Sequence, residues 1–176
     1  MNEQLETEEA QTIASLLSKL QPGFLPKEVF YEVTRLVVTP IVEVVPLRKG
    51  ASGKTEVLLT KREEDDPNWP GMLHTPGTVV LATDEENSYE SAFQRIANEL
   101  GDVNTARPQF VNNTLHKGNR GMESALVFYS EVLGEPSVGS FYPADNLPES
   151  IVDTQVPFIE EAVRSFEARM TEAIKS

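Results

Sequence analysis

Ser88-Tyr89-Glu90-Ser91-Ala92-Phe93-Gln94-Arg95-Ile96-Ala97-Asn98-Glu99-Leu100-Gly101 is the stretch on which the fold reading turns. Ala92, Phe93, Ile96 and Leu100 recur at the spacing of one helical face, Ser88 stands where a cap belongs, and Gly101 stands at the stop position. On its N-terminal side lie β-branched runs rather than helical ones. Ile41 to Leu47 and Glu56 to Arg62 read as two strands of a hairpin turning through Gly50 to Lys54, and strand character returns from Met72 to Leu81, broken at Pro76-Gly77. The acidic, proline-bearing segment from Glu63 to Gly71 between them reads as a surface loop, with Trp69 folding back on apolar surface. Beyond Gly101, Phe110 to Leu115 and Ser124 to Leu133 read as two further strands. Ile159, Val163, Phe166 and Met170 mark a long closing helix starting near Asp153 or Thr154.

Before the first strand, Ile13, Leu16, Leu17 and Leu20 form one face of an amphipathic helix with Thr7 as its cap, ended by Pro22-Gly23. A short second helix has Pro26 at its first position and Val29, Phe30 and Val33 on one side. The whole therefore reads as one α/β domain carrying a helical N-terminal extension.

Composition narrows the classes of function. The 176 residues hold 15 Lys and Arg against 28 Asp and Glu, a formal net charge of −13, which argues against DNA or RNA as a partner because a phosphate backbone is held by clustered cations. No apolar run reaches the ~18 residues needed to cross a bilayer, and the best, around Val37 to Val45, contains Glu43. Cysteine is absent, which excludes disulfides, zinc-thiolate sites and Cys nucleophiles and fits a reducing, cytoplasmic location, as does the acidic start Met1-Asn2-Glu3-Gln4-Leu5-Glu6.

Taken in order, several segments resemble the Nudix hydrolase family: the strand Ile41 to Leu47, Val57 to Arg62, Trp69 to Gly77, the helix Ser88 to Gly101, and Phe141-Tyr142-Pro143-Ala144-Asp145-Asn146-Leu147-Pro148 before the closing helix. The resemblance runs from about Leu36 to Lys175. It implies an α/β/α sandwich with a mixed sheet over residues 36–176, with residues 1–35 outside it. The family signature is a Gly, five residues, a Glu, seven residues, then Arg-Glu-apolar-x-Glu-Glu-x-Gly-apolar. Anchored on Gly101, Gln94 falls under its Arg, Arg95 and Asn98 under two of its glutamates, and Glu99 under the third. Glu86 falls under the isolated Glu, and Gly77 precedes Glu86 by nine positions instead of six.

The resemblance implies a pyrophosphohydrolase acting on a nucleoside diphosphate linked to another group, with Mg²⁺ or Mn²⁺ held by carboxylates and water attacking phosphorus. The helix face that the family fills with three carboxylates here reads Arg95, Asn98 and Glu99, so its formal charge goes from −3 to zero. Arg95 and Glu99 stand at i and i+4, where they are expected to pair with each other. The site expected by resemblance therefore consists of Glu99 as catalytic residue and metal ligand, Glu86 as a second ligand, and Arg62 and Arg95 toward substrate, with weak or altered hydrolysis. The alternative is a non-catalytic module that binds a nucleotide or metabolite on the same fold; Mg²⁺ or Mn²⁺ is expected if the chain is active, and the non-catalytic module needs none.

Glu85 and Glu86 suit a helix N-terminus without any metal, and Arg62 is placed to pair with the acidic loop that follows it. Lys117 and Arg120 flank a glycine-containing turn and serve either as phosphate contacts or as a polar hairpin tip. His74 and His116 have no partner at metal-ligand spacing. Asp102 is a further acid one turn beyond Glu99. The helical extension is compatible with a homodimer, or with an interaction module.

Overall fold

The computed structural model describes residues 6–101 and 103–175; Asp102, named above as a further acid, lies outside the described residues. Two helices come first, α1 (Thr7–Leu17) and α2 (Lys27–Thr34). The N-cap of α1 is Glu6, one residue before the expected Thr7, because its backbone N–H finds an acceptor in Glu9 Oε2 at 3.0 Å. Pro26 likewise caps α2 rather than opening it. The α1 helix forms as its period requires, yet its apolar face is uncovered: Ile13, Leu16 and Leu17 are all exposed.

The domain that follows is built on β1 (Thr39–Lys49), an eleven-residue strand buried along most of its length. It pairs in parallel with β6 (Gly121–Glu131) along one edge. Its other edge is shared. Its start holds β4 (Gly77–Val79) and its end holds β2 (Thr55–Lys61), both antiparallel. β2 continues onto β3 (Leu73–His74) and β7 (Ser140–Pro143), and β5 (Gln109–Gly118) closes the far side against β6. The seven strands thus make one mixed sheet.

Strand alternation divides the core between two helices. Ile41, Val45 and Leu47 face α4 (Val156–Lys175), packing with Val127, Phe158, Ile159 and Phe166. Val42 and Val44 face α3 (Glu90–Glu99), packing with Ala92, Ile96, Leu100 and Phe128. Burial on both faces explains why β1 reads as a nearly continuous apolar run, interrupted at Glu43, instead of alternating. A 3₁₀ turn, Asp153–Gln155, precedes α4, so the closing helix begins at Val156, later than its sequence suggested.

Candidate functional site

A polar cavity of about 80 Å³ opens where the β3–β4 segment, the start of β1, the β5–β6 hairpin and the entry to α4 meet. Its floor is Glu43. The parity that sends Ile41 and Val45 into the α4-side core sends Glu43 the same way, so a carboxyl lies 7% exposed inside an apolar layer. Gln155 Nε2 donates to Glu43 Oε2 at 3.1 Å and to Thr75 O at 3.1 Å, while Gln155 Oε1 accepts from Thr75 N–H at 2.9 Å. Gly77 makes room for the acid, since a Cβ there would stand 2.5 Å from the Glu43 carboxyl carbon. Burial, and then the negative charge of Glu123, push the Glu43 pKa up to about 8, with Arg120 and Arg62 opposing. Glu43 therefore keeps its proton at neutral pH and offers an O–H donor to the cavity.

Two arginines enter from opposite sides. Arg120, half-buried at the hairpin tip, donates through Nε (2.9 Å) and Nη2 (2.6 Å) to Oε1 of buried Glu123. His116 sits directly across from Glu123 in the β5–β6 ladder, with Nε2 3.3 Å from Glu123 Oε2. Arg62, at the end of β2, is held by Asp66 through Nε (2.8 Å) and Nη2 (2.6 Å), with Trp69 beneath its guanidinium at 5.4 Å. The acidic loop is thus folded around Arg62, because Asp66 Oδ1 also accepts from Asn68 N–H and Trp69 N–H. Burial works against the Asp66 charge, but those two N–H groups and Arg62 outweigh it and hold its pKa below the usual range.

His74 lines the same wall. Its Nδ1 lies 2.8 Å from Thr75 O, which places the ring proton on Nδ1, and its Nε2 lies 3.1 Å from Thr60 Oγ1, placing that hydroxyl as donor. Burial, followed by the charge of Arg62, lowers the His74 pKa to about 4, so the ring is neutral. Thr75, fully buried, is among the residues around the cavity, and its Oγ1 has no hydrogen-bond partner among the described residues.

The residues expected by resemblance are dispersed. Glu99 ends α3 with Oε1 3.5 Å from His74 Nε2; with the imidazole neutral this is no ion pair. It leaves 37% of its side chain open to solvent, yet the protein around its carboxyl raises its pKa, with Arg62 acting in the opposite direction. The expected Arg95–Glu99 pair does not form. Arg95 instead turns toward Asp84, donating from Nη1 at 2.6 Å and Nη2 at 2.8 Å, and reaches Val79 O at 3.0 Å. A bidentate contact to a buried acid outweighs an i,i+4 pair of a few tenths of a kcal/mol. The Arg95 bond holds the Asp84 pKa down and the Asp84 bond holds the Arg95 pKa up. Asn98 Oδ1 accepts from Gln94 Nε2 at 3.1 Å. Glu86 is exposed in the turn before α3 and lies outside the cavity lining. Of the expected four, Arg62 lines the cavity, Glu99 stands beside its wall through His74, and Arg95 and Glu86 lie elsewhere.

Mg²⁺ of the kind the resemblance implies needs several oxygen donors converging on one point. Among the described residues no three His, Asp or Glu side chains are grouped to hold a metal ion, and Arg95 is bound to Asp84. The residues present do not fit such an ion. The groups that do converge are Glu43, Gln155, Thr75, Arg120, His116 and Glu123. Glu43 was legible only as an acid at an inward-facing register position; the others reach the cavity through long-range pairing.

Solved structures with the same architecture place the chain in the Nudix fold. The Nudix domain of Shewanella oneidensis NrtR, complexed with ADP-ribose, is 15% identical, with 81% of this chain and 99% of that chain covered at a TM-score of 0.59. A MutT Nudix hydrolase from Burkholderia pseudomallei is 21% identical, covering 69% and 97% at 0.52. The MutT protein of Methanosarcina mazei Go1 is 17% identical, covering 73% and 96% at 0.53. No family model and no curated protein matches the chain.

Proposed function

We propose that this chain binds a nucleoside diphosphate linked to a second group, with Arg62 and Arg120 facing the diphosphate, and that hydrolysis of that ligand is weak or lost. The carrying observation is the bidentate Arg95–Asp84 contact. It fills with an ion pair the helix position at which the family would supply a carboxylate, leaving Glu99 as the single acid of that group. Asp66 and Glu123 each occupy Nε and Nη2 of their arginine; Nη1 of Arg120 is placed to donate to phosphate oxygens, and Nη1 of Arg62, 3.5 Å from His74 Nδ1, would exchange that long contact for a phosphate. The NrtR domain bound to ADP-ribose makes ADP-ribose the first ligand to test. Binding on this reading needs no divalent cation; were turnover to occur, Mg²⁺ or Mn²⁺ would have to be recruited by Glu99 with donors from the ligand.

The net charge of −13 favours a small molecule over DNA or RNA. Among the described residues no helix is long and apolar enough to cross a membrane, and the cysteine-free composition supports a reducing, cytoplasmic setting. The uncovered face of α1 is where a second copy would join in a homodimer, tested by whether deleting the residues before Pro22 lowers the mass in solution.

The deciding measurement is the melting temperature and the AMP formed from ADP-ribose, in Mg²⁺, in Mn²⁺ and in EDTA. Stabilisation that persists in EDTA, with little turnover in either metal, is the expected result. Rapid metal-dependent turnover abolished by Glu99→Gln would show instead a working hydrolase.

A further inference from the structure

The polar cavity, at about 80 Å³, is too small for a whole nucleotide, since ligand sites commonly span roughly 300–1,000 Å³. A second cavity of about 510 Å³ adjoins it. The two share Gly77, Thr78, Val79 and Arg120 in their walls, so β4 and the hairpin arginine form a common boundary rather than a partition between distant sites.

The larger cavity is made in large part by residues that precede β1. Phe24, Phe30 and Val33 face it from the extension, and Val80 and Leu81 from the other side. The extension is seated closely. Gly121, at φ 133°, admits the carbonyl of Thr34, which a Cβ there would strike, and Asn68 Nδ2 donates to Tyr31 Oη at 3.0 Å. Phe24 is 69% exposed, with the Arg95 guanidinium 5.9 Å from its ring, and Arg120 stands 5.8 Å from the ring of Phe30 while binding Glu123 at the polar end.

We infer that this apolar annex receives the base of the nucleotide whose diphosphate lies at Arg62 and Arg120, so that the N-terminal extension is a working wall of the ligand site. The inference rests on the function proposed above. An aromatic heterocycle suits the annex: it stacks on the open face of Phe24 beside the Arg95 guanidinium and covers the exposed valines. A hydrocarbon chain would cover the same apolar residues but gain nothing from the guanidinium groups that stand beside Phe24 and Phe30.

The test titrates ADP-ribose and inorganic pyrophosphate into the full chain and into Phe24→Ala and Val37→Glu. Both positions are exposed, so the variants should fold, and Val37 also lines the annex. Both variants should weaken ADP-ribose about tenfold or more while leaving pyrophosphate within about twofold. Unchanged ADP-ribose affinity, or an equal loss for pyrophosphate, overturns the annex while leaving the proposed function standing. Failure of the unaltered chain to bind ADP-ribose removes that function. Binding of farnesyl diphosphate in its place, dependent on Phe24, would show that the annex takes a hydrocarbon and overturn the assignment of a base.

Discussion

Replacing Glu43 by Gln should remove a proton-linked penalty from folding. An acid whose pKa rises from 4.5 to about 8 on folding binds more protons in the native state than in the unfolded one throughout that interval. Stability from this group is therefore full below pH 4.5 and falls as pH rises, at about 1.4 kcal/mol per pH unit, until about pH 8. The ceiling on the loss is about 5 kcal/mol, reduced by any relaxation around the carboxyl. His74 works in the opposite direction. Its pKa falls from 6.5 to about 4, so its contribution rises with pH over that interval and is complete above 6.5. The two slopes nearly cancel where they overlap, and the unaltered protein should lose stability chiefly between pH 6.5 and 8. Gln at position 43 reproduces the protonated acid, keeping an oxygen for Gln155 Nε2 and an N–H in place of the O–H. In urea unfolding followed by circular dichroism across this pH range, its advantage should grow with pH toward several kcal/mol. Parallel curves for the two proteins from pH 5 to 8 would refute the assignment of a retained proton.

Three further outcomes are expected. Gly77→Ala should lower stability by roughly 1–3 kcal/mol, because its Cβ meets the Glu43 carboxyl, and thermal denaturation should show most of that cost absent in a Glu43→Ala background. Arg95→Glu with Asn98→Glu should destabilise the chain by about 3 kcal/mol without metal, since Asp84, with 7% of its side chain exposed, loses its partner; Mg²⁺ should restore part of the melting temperature, and no Mg²⁺ effect would mean that the helix register is misassigned. Gly121→Ala should cost on the order of 1–3 kcal/mol and expose the segment before β1 to limited proteolysis, as it combines a positive φ with a strike on the Thr34 carbonyl.

Periodicity made most of the scaffold legible. The β1–β2 hairpin, α3 with its stop at Gly101, and the face of α4 all follow from local pattern, because each buries one stripe or alternation against a single neighbour. The site was legible only in fragments. Arg62 could be singled out because it ends a strand beside an acidic loop, whereas the partner of Arg95 could not: local spacing offered Glu99, and Asp84 arrives only when the turn before α3 folds back. Glu123, His116 and Arg120 reach the cavity because β6 lies parallel to β1 and antiparallel to β5, a pairing that no local pattern encodes. Glu43 carried a readable trace, an acid in phase with Ile41 and Val45, but its proton depends on neighbours from three other segments.

Gln155 closes a break in the sheet with a side chain. Its amide serves the N–H and the C=O of Thr75 as a neighbouring peptide would, at the point where the chain leaves β3 and has not yet entered β4. A true strand in that place would satisfy the same two groups and run on through the space beyond them. A single amide on the turn before α4 satisfies them and stops, and the hollow above Glu43 survives because the lattice of peptides is completed there by only one residue.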